Sequence, residues 1–256
     1  MKSPEIKPSL LRLLEERGYE SERARGLILS GRVLVEGRPE TRVHVSLDPD
    51  VALEVREEKE YVSRAAYKLL GALRDFALSP EGRVCLDLGA AHGGFTQVLL
   101  ERGAVRVYAL DVAYGMIDYG LRRDERVVML ERRNARRLAA DWLLPEDLAR
   151  PDGLFVTSDL SFISLRSVLP ALAELARALA GPLEGVLLIK PQFEASERTE
   201  KGVLRDPEAR EAVLADVMEA ARGLGFVLEG PVPADITGEK GNQEYAVRVV
   251  FGASSE

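Results

Sequence analysis

Lys190 directly follows the apolar run Val186-Leu187-Leu188-Ile189, and an ammonium at the end of a buried strand is costly unless it is paired or used. Asp87, Asp111 and Asp159 hold comparable places, within or at the ends of three other apolar runs that read as strands. After Asp87 and Leu88 the chain turns through Gly89-Ala90-Ala91-His92-Gly93-Gly94, and helical spacing begins at Phe95. A strand, a glycine turn and a helix N-terminus make a pocket in which a ligand can approach the backbone closely. The dinucleotide fingerprint G-x-G-x-x-G is absent, because Ala91 takes its second glycine position. The spacing D-x-G-x-x-x-G instead suits S-adenosylmethionine (SAM), which has no pyrophosphate to cradle. An ordinary strand–turn–helix of some other α/β protein is the alternative. Asp111 lies where an acid about 20 residues past the glycines accepts a ribose hydroxyl pair. Asn134 follows the next strand, near where an adenine would sit, and Arg132, Arg133, Arg136 and Arg137 cluster around it. Lys68 lies between apolar helix positions, where a surface lysine laying its stem along apolar ground is the simpler account.

These residues need elements to hold them. From about residue 60 onward, strands alternate with helices, which argues for a doubly wound α/β sheet with right-handed crossovers. Strands are expected over 84–88, 105–111, 127–130, 153–159, 185–189, 226–228 and 245–251, and an apolar helix over 165–179. In such a sheet ligands collect at the carboxyl ends of the central strands. The charged stretch 195–205 reads as a mobile flap, Pro207 as a helix start, and 238–244 as a turn with Glu244 leading into the last strand. The first 55 or so residues read as a separate module. One short helix from Leu10 ends at Gly18, and Ser21 caps a second over 22–29 that stops at Ser30-Gly31. Strands follow at 33–35 and 43–45, with an edge strand within 47–55. Glu57-Glu58-Lys59-Glu60 is a polar linker, which places the domains at 1–59 and 60–256.

The totals exclude several classes. The single Cys85 reads as a buried structural residue, cannot form an internal disulfide, and fits a reducing cytoplasm. No apolar run approaches the roughly 18 residues of a membrane span, and MKSPEIKPSL has no signal core. Two histidines and one cysteine do not make up a zinc cluster, so no metal is expected. The net charge of −7 argues against a partner held by bulk electrostatics, yet nucleic acid binding depends on a local patch.

Two resemblances sharpen this reading. The stretch ERGYESERARGLILSGRVLVEGRPE resembles the S4-like RNA-binding domain, over about residues 8 to 57. That likeness implies a small α+β module presenting Arg23, Arg25, Arg32 and Arg38 to structured RNA. Residues 61 to 252 resemble the FtsJ-type RNA ribose 2′-O-methyltransferases in SRAAYKL, LDLGAAHGGF, SDLSFISL, LIKPQFE and GNQEYAV. The two modules together are similar to the TlyA group, ribosomal RNA cytidine-2′-O-methyltransferases of which some carry a haemolysin label. The resemblance implies a Rossmann-like, SAM-dependent methyltransferase sheet and a catalytic tetrad at Lys68, Asp159, Lys190 and Glu244. It implies SAM contacts at Asp87, Gly89, Ala90, His92, Gly93, Gly94, Phe95, Asp111, Asn134 and Asp159. RNA contacts fall at Arg64, Arg133 and Arg136 besides the arginines of the small module. Within this reading Lys190 takes the hydroxyl proton while Lys68 and Glu244 orient it, and ribosomal RNA or ribosomal subunits are the partners. The alternatives are a non-catalytic RNA-binding assembly factor that keeps the fold, and a membrane-lytic protein.

Overall fold

A computed structural model describes residues 7–29, 31–56 and 61–252 of the chain. The expectations placed on residues 1–6, on Ser30 and on the linker 57–60 lie outside the described residues. The chain divides into two compact units, Met1–Glu60 and Tyr61–Glu256.

In the first unit, helices α1 (Leu10–Glu16) and α2 (Ser21–Leu29) accompany a three-stranded antiparallel sheet of β1 (Val33–Val35), β2 (Arg38–Pro39) and β3 (Leu53–Val55), in the order β2-β1-β3. Leu10 and Leu14, one helical turn apart, meet Ala24, Ile28 and Val33 in a core where all five are fully buried. Ser9 caps α1 by accepting the Arg12 N–H. The strand expected at 43–45 does not form. The carbonyls of Val43 and Val45 accept the N–H groups of Leu11 and Leu10 at 3.1 and 2.9 Å, so this segment satisfies donors that the start of α1 leaves without helical partners. The edge strand within 47–55 is confined to β3.

The second unit runs α3 (Ala65–Asp75), β4 (Val84–Leu88), α4 (Gly94–Glu101), β5 (Arg106–Asp111), α5 (Tyr119–Arg122), β6 (Val127–Glu131), α6 (Pro145–Leu148) and β7 (Leu154–Ser158), and continues with α7 (Leu169–Ala178), β8 (Leu183–Ile189), α8 (Pro191–Glu194), α9 (Pro207–Gly223), β9 (Val227–Pro233) and β10 (Tyr245–Phe251). Its sheet has seven strands in the order β6-β5-β4-β7-β8-β10-β9. The central strands β4 and β7 are buried at every position, as sheets covered on both faces require. Alternate residues serve opposite faces. Leu86, Val156 and Leu187 pack with α7 and α9, while Cys85, Phe155 and Val186 pack with α3 and α4.

The order of strands puts the ligand edge beside β4, where connections to left and right diverge. All pairings from β6 to β8 are parallel, whereas β10 lies antiparallel between β8 and β9. Its register sets Tyr245 opposite Ile189. The first residue of β10 therefore shares an edge with the last residue of β8, and what precedes Tyr245 comes to the carboxyl ends of the parallel strands.

Two local expectations change. The helix expected from Leu165 begins at Leu169, after a separate 3-10 turn (Leu165–Ser167), because Pro170 lacks the N–H that a continuous helix would donate to Arg166. The stretch 195–205 is folded, despite its charge. Ala195 and Leu204 are buried against Ala209 and Val213 of α9, and the Leu204 N–H donates to Asn242 Oδ1.

Candidate active site

The loop after β4 is built for close approach. Gly89 has φ +86°, and a Cβ there would stand 3.0 Å from the carbonyl oxygen of Asp159. Gly93 has φ +97°, with Leu121 only 2.4 Å from where its Cβ would be. A Cβ on Gly94 would meet Ser63 Cβ at 3.0 Å and the Ala66 nitrogen at 3.1 Å, so this glycine lets α4 lie against the start of α3. Four of the loop amides are already used. Gly89 and Ala90 N–H donate to the Leu110 carbonyl, Gly93 N–H to that of Ala90, and Ala91 N–H to Asp111 Oδ2 at 2.9 Å. Those four N–H groups are closed to a phosphate, which needs them free. The stretch from Gly89 to Ala91 thus suits a ligand that brings no phosphate to it.

Asp87 lies beneath the loop and is fully buried. Thr96 Oγ1 and Thr157 Oγ1 donate to its two oxygens at 2.7 and 3.2 Å, tying β4 to α4 and β7. Burial is the dominant influence on its carboxyl and pushes the pKa up to about 7, against the two threonine bonds that favour the charged form. Asp111, half-buried at the end of β5, accepts from Ala91 and Ala113 N–H, one bond per oxygen, and each oxygen keeps capacity for another. Asn134 is exposed, and its Oδ1 caps the turn Ala135–Arg137 by accepting the Arg136 N–H. His92 is exposed, with its carbonyl accepting the Asp118 N–H.

Beside the loop lies a cavity of about 250 Å³, lined by Lys68, Gly89, Ala90, Ala91, Gly94, Phe95, Asp159, Lys190, Gln192 and Glu244 among others. Four charged side chains converge there from four places in the chain. Lys68 projects from α3, Asp159 follows β7, Lys190 follows β8, and Glu244 precedes the antiparallel β10. Lys68 Nζ donates to Glu244 Oε2 at 2.6 Å and lies 3.5 Å from both Asp159 oxygens. Lys190 Nζ pairs with Asp159 Oδ1 at 2.7 Å, donates to Ser161 Oγ at 2.9 Å, and stands 4.0 Å from Glu244 Oε1. The two lysines and Glu244 are each less than 10% exposed, so the surface reading of Lys68 does not hold. Two cations and two anions balance, which is how charge is tolerated at such depth.

The two motifs at the ends of β7 and β8 form one spatial unit. Besides the Lys190 contacts, Phe162 packs on Phe193 with ring centres 5.3 Å apart. The buried Glu194 accepts from Ser164 Oγ, Leu165 N–H and Arg166 Nε, fastening α8 to the turn that precedes α7. Ser161, Gln192 and Gly238 also bear on the site; the first two fall within SDLSFISL and LIKPQFE, and Gly238 only within the expected turn 238–244. Gln192 Nε2 donates to Glu244 Oε1 at 3.3 Å. A Cβ on Gly238 would fall 2.0 Å from that same oxygen.

Of the arginines, Arg64 is exposed and lines the cavity. Arg133 stacks 4.7 Å over the Trp142 ring, and Arg136 Nε donates to Ser167 Oγ at 2.9 Å. In the first unit Arg23, Arg25 and Arg38 are exposed and Arg32 is half-buried.

Known proteins share this arrangement of sequence. The family model for FtsJ-like methyltransferases matches residues 61–251. The Mycobacterium tuberculosis 16S/23S rRNA (cytidine-2′-O)-methyltransferase TlyA is 43% identical over 238 residues, covering 91% of this chain and 85% of the relative. Hemolysin A of Brachyspira hyodysenteriae is 36% identical over 243 residues, covering 93% and 98%. A solved structure from Streptococcus thermophilus that carries a hemolysin name aligns with TM-score 0.70 at 34% identity, over 98% of this chain and 90% of that one. With a Gly89 loop suited to a phosphate-free ligand, a paired cluster of lysines and carboxylates beside it, and this extent of shared sequence, the chain belongs to the FtsJ-like methyltransferase family.

Proposed function

We propose that this chain transfers a methyl group from SAM to ribose 2′-hydroxyls of ribosomal RNA, with cytidine as the nucleoside, as the names of its relatives state for them. The observation that carries this reading is the meeting of Lys68, Asp159, Lys190 and Glu244 beside the Gly89 loop. SAM, when bound, supplies a methyl on a sulfonium, an electrophile that needs placement more than activation. The spent amides of Gly89, Ala90 and Ala91 and the free capacity of Asp111 fit such a ligand, and Asp111 would accept the hydroxyls of its ribose. Gly89, Ala90 and Phe95 would bound it at the loop, Gly93 and Gly94 set the backbone there, and Asp159 would hold its reactive end. Asn134 and His92, which are exposed, would contact its adenine, and Asp87 would act from beneath the loop through Thr96.

A ribose 2′-hydroxyl is a poor nucleophile, so its proton must be managed as the O–C bond forms. Lys190, in its free-amine form, accepts that proton. Glu244 holds Lys68 at 2.6 Å, and the pair orients Lys190 and the hydroxyl. Arg64, Arg133 and Arg136, with the arginines of the first unit, supply phosphate contacts to the RNA.

Methyl transfer into ribosomal RNA from cells lacking this protein tests the reading, with the methylated riboses mapped. Lys190→Ala is expected to lower the rate about a hundredfold to ten-thousandfold, the usual worth of acid–base participation, while SAM affinity and folding persist. A wild-type protein that binds this RNA without methylating it would overturn the enzyme reading in favour of an assembly factor.

A further inference from the structure

We propose that Ser161 is a positioning residue for the methyl-transfer site, holding the Lys190 ammonium in place through its hydroxyl. The inference rests on the methyltransferase reading above and extends it to a residue outside the four charged ones.

An ammonium has three N–H donors. At Lys190, Asp159 Oδ1 takes one at 2.7 Å and Ser161 Oγ a second at 2.9 Å. Glu244 Oε1, at 4.0 Å, is beyond hydrogen-bond reach, and Lys68 is the neighbouring cation. Asp159 cannot fix Lys190 by itself, because both its oxygens also face Lys68 at 3.5 Å. Left with Asp159 alone, the Lys190 head could turn about one bond. The serine adds the second point that defines its direction, leaving the third position of the head, an N–H in the ammonium and the lone pair in the free amine, for the incoming hydroxyl.

The backbone is shaped to bring this hydroxyl in. Ser161 lies two residues beyond Asp159, and the next residue, Phe162, has φ +65°, a left-handed conformation that an aromatic side chain adopts at a cost. That turn folds the segment back over the end of β8, with the 80% exposed Phe162 resting on Phe193. Ser161 itself is exposed and lines the cavity. It thus stands on the open side of the lysine, from which an RNA ribose would arrive. A hydroxyl that accepts from Lys190 keeps its own proton to donate, so the serine adds no charge to a balanced cluster.

The test compares wild type, Ser161→Ala and Ser161→Thr in two measurements. The first is the single-turnover rate of methyl transfer into ribosomal RNA from cells lacking the protein, followed across pH. Ser161→Ala is expected to lower the rate about tenfold to hundredfold, the worth of one hydrogen bond to a charged group, and to displace the pH–rate profile. SAM affinity by calorimetry and the thermal midpoint stay at wild-type values, and Ser161→Thr restores most of the rate. The second measurement needs no turnover. Acetic anhydride labelling of Lys190, read by mass spectrometry across pH, is expected to shift in Ser161→Ala and return in Ser161→Thr. Unchanged rate, pH profile and labelling in Ser161→Ala would overturn the proposal. Absence of turnover in wild type would overturn the methyltransferase reading instead, and the labelling would still decide the role of Ser161.

Discussion

Asp87 has no exposed surface, and its carboxylate faces two threonine hydroxyls from neighbouring elements. A carboxyl raised from 3.8 to about 7 by burial binds its proton more tightly folded than unfolded. Between those values the native state holds more protons, so stability falls as pH rises through the window. Below about pH 4 both states are protonated and the contribution is fully present. Above about pH 7 it is lost, a swing on the order of 4 kcal/mol. Asp87→Asn removes the titration and keeps the size of the side chain. The difference in unfolding free energy between wild type and Asp87→Asn is expected to move against wild type from pH 4 to pH 8, read by denaturant titration. A difference that stays flat with pH would show that the carboxyl is ionised in the folded protein. Asp87 and Lys190 were both marked in the sequence by charge set against apolar runs. Lys68 was not, since a lysine on an amphipathic helix is ordinarily a surface residue and only Glu244, 176 positions away, makes it otherwise.

At the scale of elements, the strand–helix alternation was readable because buried parallel strands are short apolar runs and their helices carry one apolar face. The sense of β10 was not readable. In a sheet covered on both faces an antiparallel strand such as Tyr245–Phe251 is nearly as apolar as its parallel neighbours, yet its sense brings Glu244 to the same edge as Lys190. The segment 43–45 failed for a related reason, since three alternating residues look alike whether their carbonyls pair with a strand or cap a helix. The turn before β10 can be tested through Gly238. Its φ is not in the left-handed region, so alanine is permitted by the backbone, but the new Cβ would fall 2.0 Å from Glu244 Oε1 and 2.7 Å from its Cδ. Glu244 is 2% exposed and held by Lys68 and Gln192, so its carboxylate must leave those partners to make room. Gly238→Ala is expected to cost about 1–3 kcal/mol of stability and at least about tenfold in methyl-transfer rate, each 1.4 kcal/mol of lost alignment being tenfold. A full rate in a folded Gly238→Ala protein would mean that the carboxylate need not stand where it does.

For the whole molecule, 35 basic against 42 acidic side chains give a surface whose long-range field repels RNA, so any RNA contact must be local. The arginines of the first unit are the candidates, and Arg25 and Arg38 present exposed guanidinium groups from α2 and β2. Each phosphate they neutralise releases counterions, so the logarithm of affinity falls with the logarithm of salt at a slope of about 0.7–0.9 per contact. Replacing both by alanine is expected to flatten that slope by roughly 1.5–2 for ribosomal RNA, measured by filter binding from low to moderate salt. The loss at any one salt should be alike for different RNA sequences, because phosphate contacts carry no base information. SAM affinity should not change, because the Gly89 loop and Asp111 belong to the second unit. An unchanged slope would remove Arg25 and Arg38 from the RNA contacts and leave Arg64, Arg133 and Arg136 as the groups to test.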